Sequence, residues 1–223
     1  MSQRRPLVIF GLGDMSELAR EYFVEDSSYD VVAFTIDRAF LKEGCAGGLP
    51  VVPFDELLSR FPPSSADLFV AIGYSKLNQV RQRKYEEAKA LGYRLATYVS
   101  PRATVLNKGR IGDNCFILED NTIQPFVSIG NNVVLWSGNH VGHHAEIGDH
   151  CFISSHVVIS GRVKIGQRCF IGVNATLRDN IRVGSDCLLG AGTILLSDAE
   201  PGGVYNPEPT ARSKVPSSRL RRI

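Results

Sequence analysis

The chain has 223 residues, 43% of them hydrophobic and 22% charged, and a formal net charge of +2. That length buries a real core in one or two domains, and so small a charge gives no ground for nucleic-acid or anionic-membrane partners. The basic start Met1–Arg5 meets an apolar run only one strand long that Gly11 ends, too short for a signal peptide or membrane span, so a cytoplasmic location is expected.

Pro6–Phe10 reads as a buried strand, and Gly11-Leu12-Gly13 leads into a helical pattern through about Val24. Asp30–Ile36 is a second strand ending on Asp37-Arg38, Leu49–Val52 a short third, and Phe54–Phe61 a helix stopped by Pro62-Pro63. Asp67–Ile72 is a strand closed by Gly73, and Asn78–Leu91 is an amphipathic helix ended by Gly92. This alternation predicts a small parallel α/β domain with Rossmann-like winding over residues 1–100. Gly11-x-Gly13-x-x-Ser16 is a partial dinucleotide fingerprint, with Ser where the third Gly would stand and Asp37 near the expected acidic position. A tight strand–helix turn and a phosphate cradle both remain open. In either case a ligand belongs at the carboxyl ends of the strands, against Gly11, Gly13, Asp14, Met15, Asp37, Arg38 and Gly73.

From Val99 to Leu195 every sixth residue is aliphatic without one slip, and Ile-Gly or Val-Gly recurs every 18 residues from Ile111 to Val183. Neither a helix nor an alternating strand keeps one inward residue at each sixth position. A coil with three flat sides of six residues does, which predicts a triangular prism over residues 101–200. Two positions before each aliphatic the residue is mostly small or β-branched, and Cys115, Cys151, Cys169 and Cys187 share that place, so they read as core rather than metal ligands. After Leu195 the rhythm stops; residues 201–223, with the basic stretch Arg212–Arg222, read as a loop and tail.

All five histidines fall between positions 140 and 156. His143 and His144 follow the inward Val141 by two and three residues, which puts them at an outward corner. A flat-sided prism has no cleft of its own, so a site there needs a neighbour, and a homotrimer is the simplest arrangement.

The hexapeptide ruler resembles that of the left-handed β-helix acyltransferases, and the preceding α/β domain resembles the subgroup that acetylates sugar nucleotides, of the bacillosamine, perosamine and sialic-acid type. The similarity covers nearly the whole chain. It implies a left-handed coil, acetyl-CoA as cosubstrate, a nucleotide-sugar acceptor, a homotrimer, and no metal. In that subgroup the general base is a histidine, and the matching segment His140-Val141-Gly142-His143-His144-Ala145-Glu146-Ile147-Gly148 places it on His143. The glutamate that normally follows is His144 here, a modulator of the base. The backbone of Gly161 is implied as oxyanion donor, and acetyl-CoA contacts fall on Phe152, Gly161, Val173 and Ala191. Phe152 stands where relatives carry a second histidine, and Gly13-Asp14-Met15 stands where they carry a histidine that touches the sugar.

The expected function is N-acetylation of an amino group on a nucleotide-linked sugar. The alternatives are O-acetylation or transfer of a longer acyl chain, and, further off, a prism-fold zinc carbonic anhydrase or a non-catalytic nucleotide-binding module.

Overall fold

The protein is described by a computed structural model that covers residues 4–42, 44–214 and 217–219. Its N-terminal unit is built on β1 (Arg5–Phe10), β2 (Tyr29–Ile36), β3 (Cys45–Ala46), β4 (Leu49–Pro53) and β5 (Asp67–Val70), in the order β3-β4-β2-β1-β5. Four of these strands run parallel, as the strand–helix alternation predicts; β3, which the sequence does not announce, pairs antiparallel with β4 at the edge. Helix α1 (Asp14–Asp26) lays Ala19 and Phe23 on the sheet, four residues apart on one face. The predicted Phe54–Phe61 helix is a 3₁₀ turn, Phe54–Glu56, followed by the short α2 (Leu57–Arg60), and α3 (Gln79–Ala90) follows β5.

From Tyr98 onward the chain coils. Each two-residue strand pairs with its equivalent one turn away, Phe116–Ile117 with Val134–Leu135 and that with Phe152–Ile153, always 18 residues apart. The result is three parallel sheets around one apolar column, in which the ruler's aliphatics from Ile117 to Leu195 lie buried or, at Val99, Val105 and Ile111, half-buried at the first turns. Cys115, Cys151, Cys169 and Cys187 are fully buried in that column, and burial pushes the Cys115 thiol up to about 12.

The three sides are named here by their strands: side one holds Phe116, Val134, Phe152 and Phe170; side two Thr122, His140, Val158 and Thr176; side three Ser128, Glu146, Lys164 and Arg182. Where each side turns, the third residue after the inward aliphatic adopts a left-handed backbone, at every sixth position from Lys108 to Gly192. Asn, Asp and Gly fill most of these places, as their tolerance of positive φ requires, and Phe126 is the one apolar residue among them.

The coil outlasts the ruler. After Leu195 it drops two residues and resumes, with Ala199 bridged to Val183 and Val204–Tyr205 paired with Leu188–Leu189. The segment after 200 therefore adds a strand before the exposed tail at 206–214, and part of the basic stretch Arg212–Arg222 lies outside the described residues.

The α/β unit packs on side one. Phe23, Phe69, Tyr98 and Phe116 form a continuous aromatic contact with ring centroids 5.0–5.5 Å apart. At the neighbouring corner the buried Arg81 of α3 donates to the carbonyls of Gly73, His150 and Cys151 at 2.9, 2.9 and 3.1 Å.

Candidate functional site

Two places gather the chemistry, and the coil sets them apart. The first is a cavity of about 680 Å³ at the carboxyl ends of β1, β2 and β5, lined by Gly11, Gly13, Asp14, Met15, Asp37 and Gly73 among others. Gly11 is required there: its φ is +127°, and a Cβ would lie 2.8 Å from the Ala71 carbonyl oxygen. Ser16 is buried against it and donates its hydroxyl to the Gly13 carbonyl at 2.6 Å, which shows what replaces the third glycine of the fingerprint. Arg38 is not part of this cavity. Asp55 and Glu56 draw its guanidinium away at 2.9 and 2.5 Å, so of the residues expected at the strand ends it alone faces elsewhere. Lys84 and Arg83 of α3 do line it, which the sequence did not single out. The Lys84 ammonium is nearly buried, 4.5 and 4.9 Å from the ring centres of Phe54 and Phe10, and ion-pairs with Asp37 at 2.6 Å and with Glu87.

The second place is the corner between sides two and three. His143 is exposed there; its backbone N–H donates to Gln124 Oε1 at 2.8 Å, and its carbonyl accepts from Arg162 N–H at 2.9 Å. The imidazole lies across Gly161 on the next coil, so that a Cβ at Gly161 would sit 2.9 Å from both Cε1 and Nε2. No hydrogen bond involves the Gly161 N–H among the described residues. His143 Nδ1 and His144 Nδ1 are 3.1 Å apart, a distance that holds one shared proton, and the His144 ring lies against Phe126 at a tilt of 31°, with centroids 4.6 Å apart. Desolvation first, then Arg162 and His143, holds His144 below the usual imidazole range, which favours it as a neutral acceptor.

The histidines close in sequence part in space. His150 sits buried at the corner between sides three and one, its Nδ1 2.9 Å from Asn132 Nδ2. The cause is α3, whose Tyr85 covers it at 5.4 Å. His156 occupies the third corner, its ring over Gly138, and His140 lies on side two. Only His143 and His144 are neighbours.

Val173 and Ala191, both exposed, stand at the corner between sides one and two, across side two from His143. Phe152 is different from what its alignment implies. It is 3% exposed, enclosed by Tyr74, Trp136 and Phe170 between side one and the α/β unit, and so is packing rather than an open groove wall. Side three carries an open concavity of about 790 Å³, crossed by a Glu146–Lys164 ion pair at 2.7 Å.

Comparison with known proteins places this geometry. The bacterial transferase hexapeptide (six repeats) matches residues 108–143 and 127–161, and the hexapeptide repeat of succinyl-transferase matches 162–197. No curated protein sequence matches the chain. Among solved structures, the acetyltransferase domain of PglB from Neisseria gonorrhoeae FA1090 is 28% identical, with a TM-score of 0.81 over 91% of this chain and 97% of that one. The same domain in complex with acetyl coenzyme A is 26% identical, with a TM-score of 0.80 over 92% and 97%. PerB from Caulobacter crescentus, in complex with CoA and GDP-perosamine, is 26% identical, with a TM-score of 0.80 over 91% and 94%. Hexapeptide transferase repeats fill residues 108–197 and the chain resembles acetyltransferases of known structure over most of its length, which together support an acyltransferase.

Proposed function

We propose that the protein transfers an acetyl group from acetyl-CoA to an amino group of a nucleotide-linked sugar, as a cytoplasmic homotrimer with a left-handed coil. One observation carries the assembly: His143 lies at the corner opposite side one, and side one is where the α/β unit and its cavity sit. A ligand in the cavity therefore meets the histidine of another copy more readily than its own. The relatives that hold CoA and GDP-perosamine, or acetyl coenzyme A, supply the ligand classes. In this reading residues 1–100 bind the nucleotide sugar, 101–200 form the acyltransfer coil, and 201–223 are the C-terminal loop and tail.

His143 donates its Nδ1 proton to His144, which leaves the Nε2 lone pair as the base. As the sugar amine adds to the thioester carbonyl, Nε2 takes the proton the amine sheds. The free N–H of Gly161, beside that imidazole, meets the oxyanion. Collapse of the tetrahedral adduct breaks the C–S bond, and His143 returns the proton to the departing thiolate. Acetyl-CoA runs from Val173 and Ala191 across side two to His143 and Gly161, with Phe152 supporting the surface from behind. Gly11, Gly13, Asp14, Met15, Asp37 and Gly73 hold the acceptor.

The test is thiol release from acetyl-CoA with UDP-, GDP- and dTDP-linked amino sugars. His143→Ala and His143→Asn are expected to lower kcat by about 10²–10⁴-fold, the range for a general base. Full turnover in both variants would remove His143 from the chemistry. Turnover of a free hydroxy-sugar alone would move the reaction to O-acetylation.

A further inference from the structure

The acceptor cavity does not balance a diphosphate. Of the charged groups lining it, Asp14 and Asp37 are acidic, Lys84 is bound to Asp37 and Glu87, and Arg83 lies 3.8 Å from Glu87. Asp14 also begins α1, where its carboxylate opposes an anion at the helix N-terminus. The catalytic corner has the opposite excess. Beside His144, Arg110, Arg162 and Lys164 share one recess of about 330 Å³ with a single carboxylate, Glu146, which pairs with Lys164 at 2.7 Å. Arg110 and Arg162 are exposed, and neither side chain has an ion-pair partner among the described residues. Phe126, 59% exposed, forms part of the wall, with the His144 ring in contact against it.

We propose that this recess, through Arg110 and Arg162, binds the diphosphate of the acceptor nucleotide sugar presented by the α/β cavity of another copy. The inference rests on the sugar-nucleotide reading above. Two unpaired guanidiniums match the two charges of a diphosphate diester, and each can meet phosphate oxygens with paired donors. Arg162 follows Gly161 directly and its N–H is tied to the His143 carbonyl, so an anion held there sits beside the base. The site would thus select acceptors that carry phosphate and set the amino sugar against His143 from the side-three flank, leaving side two to the thioester.

The same phosphate chemistry exists in CoA, and the experiment separates the two sources. Calorimetric titration of the full-length chain with inorganic pyrophosphate, UDP and GDP reads binding without turnover. In Arg110→Gln/Arg162→Gln, pyrophosphate affinity is expected to fall about tenfold or more, as for lost charge-assisted contacts. Arg162→Lys should recover part of it, because charge remains while the paired geometry is lost. In kinetics the KM for the accepted nucleotide sugar should rise by a similar factor, with the KM for acetyl-CoA unmoved. Unchanged pyrophosphate affinity in the double variant overturns the proposal, and so does a rise confined to the acetyl-CoA KM. Failure of the acetyltransferase reading shows separately, as no thiol release by wild type on any sugar nucleotide.

Discussion

Gly161 has a backbone outside the left-handed region, so any residue could adopt it, yet the space a Cβ would fill belongs to the His143 ring. Gly161→Ala should therefore fold normally while pushing the imidazole aside. A loss of about 10²-fold in kcat is expected, the scale of an ångström's misplacement, at an unchanged melting temperature; a fully active Gly161→Ala would show that the ring position is not used. The cysteines make a second residue-level point. Cys45 is exposed and the other four are buried, so a thiol reagent should label one site in the native chain and five in denaturant. Both features differ in how far the sequence shows them. The shared place of Cys115, Cys151, Cys169 and Cys187 in the repeat marks them as core. The contact of His143 with Gly161 follows from an 18-residue offset that becomes visible once the coil is drawn.

The strands of the coil are two residues long, too short to stand alone, and the corners hold them in place as much as the column does. The aliphatic ruler is legible because side-chain size reports which residue faces inward. The left-handed corner three residues later is less so, since Lys, Arg, His and Phe share those places with Asn, Asp and Gly. Asp120, exposed at φ +59°, tests this part of the design. Asp120→Val should cost about 1–2 kcal/mol in urea unfolding, because a β-branched side chain clashes in the left-handed region, whereas Asp120→Gly should be near neutral. Equal effects of the two would mean that the corner relaxes. The same blindness hides the strand at Val204–Tyr205: two missing residues break the count although the coil continues.

The two units of the molecule meet through polar groups that no single stretch of sequence reveals. Asn114, Asn132 and His150, each 18 apart, form a buried ladder at 2.9 Å steps, and Arg81 enters from α3 with no carboxylate partner among the described residues. Burial brings the Arg81 guanidinium down to about 10, so it remains charged at neutral pH and depends on its carbonyl partners. Arg81→Met removes those donors and should destabilise the chain by about 3 kcal/mol or more, the cost of buried carbonyls left unpaired. His150 is held below its ordinary value, chiefly by burial. The folded chain thus binds that proton less readily than the unfolded one, and stability present above about pH 6.5 should decline as pH falls below it. His150→Asn should flatten this acid-side slope in pH-dependent unfolding; an unchanged slope would assign it to other groups. Neither His150 nor Phe152 could be placed from the hexapeptide pattern, because what buries them is the first hundred residues folding onto side one.

A stack of parallel strands ends in a bare edge, and such an edge can template the next molecule into a fibre. Here the last turn runs into Pro207 and Pro209 just beyond Val204–Tyr205, and Pro201 sits against Gly184 at the preceding corner. Proline brings no backbone N–H, so a further coil finds its donors missing where it would begin to pair. The final turn therefore serves as a stopper as well as a structural layer.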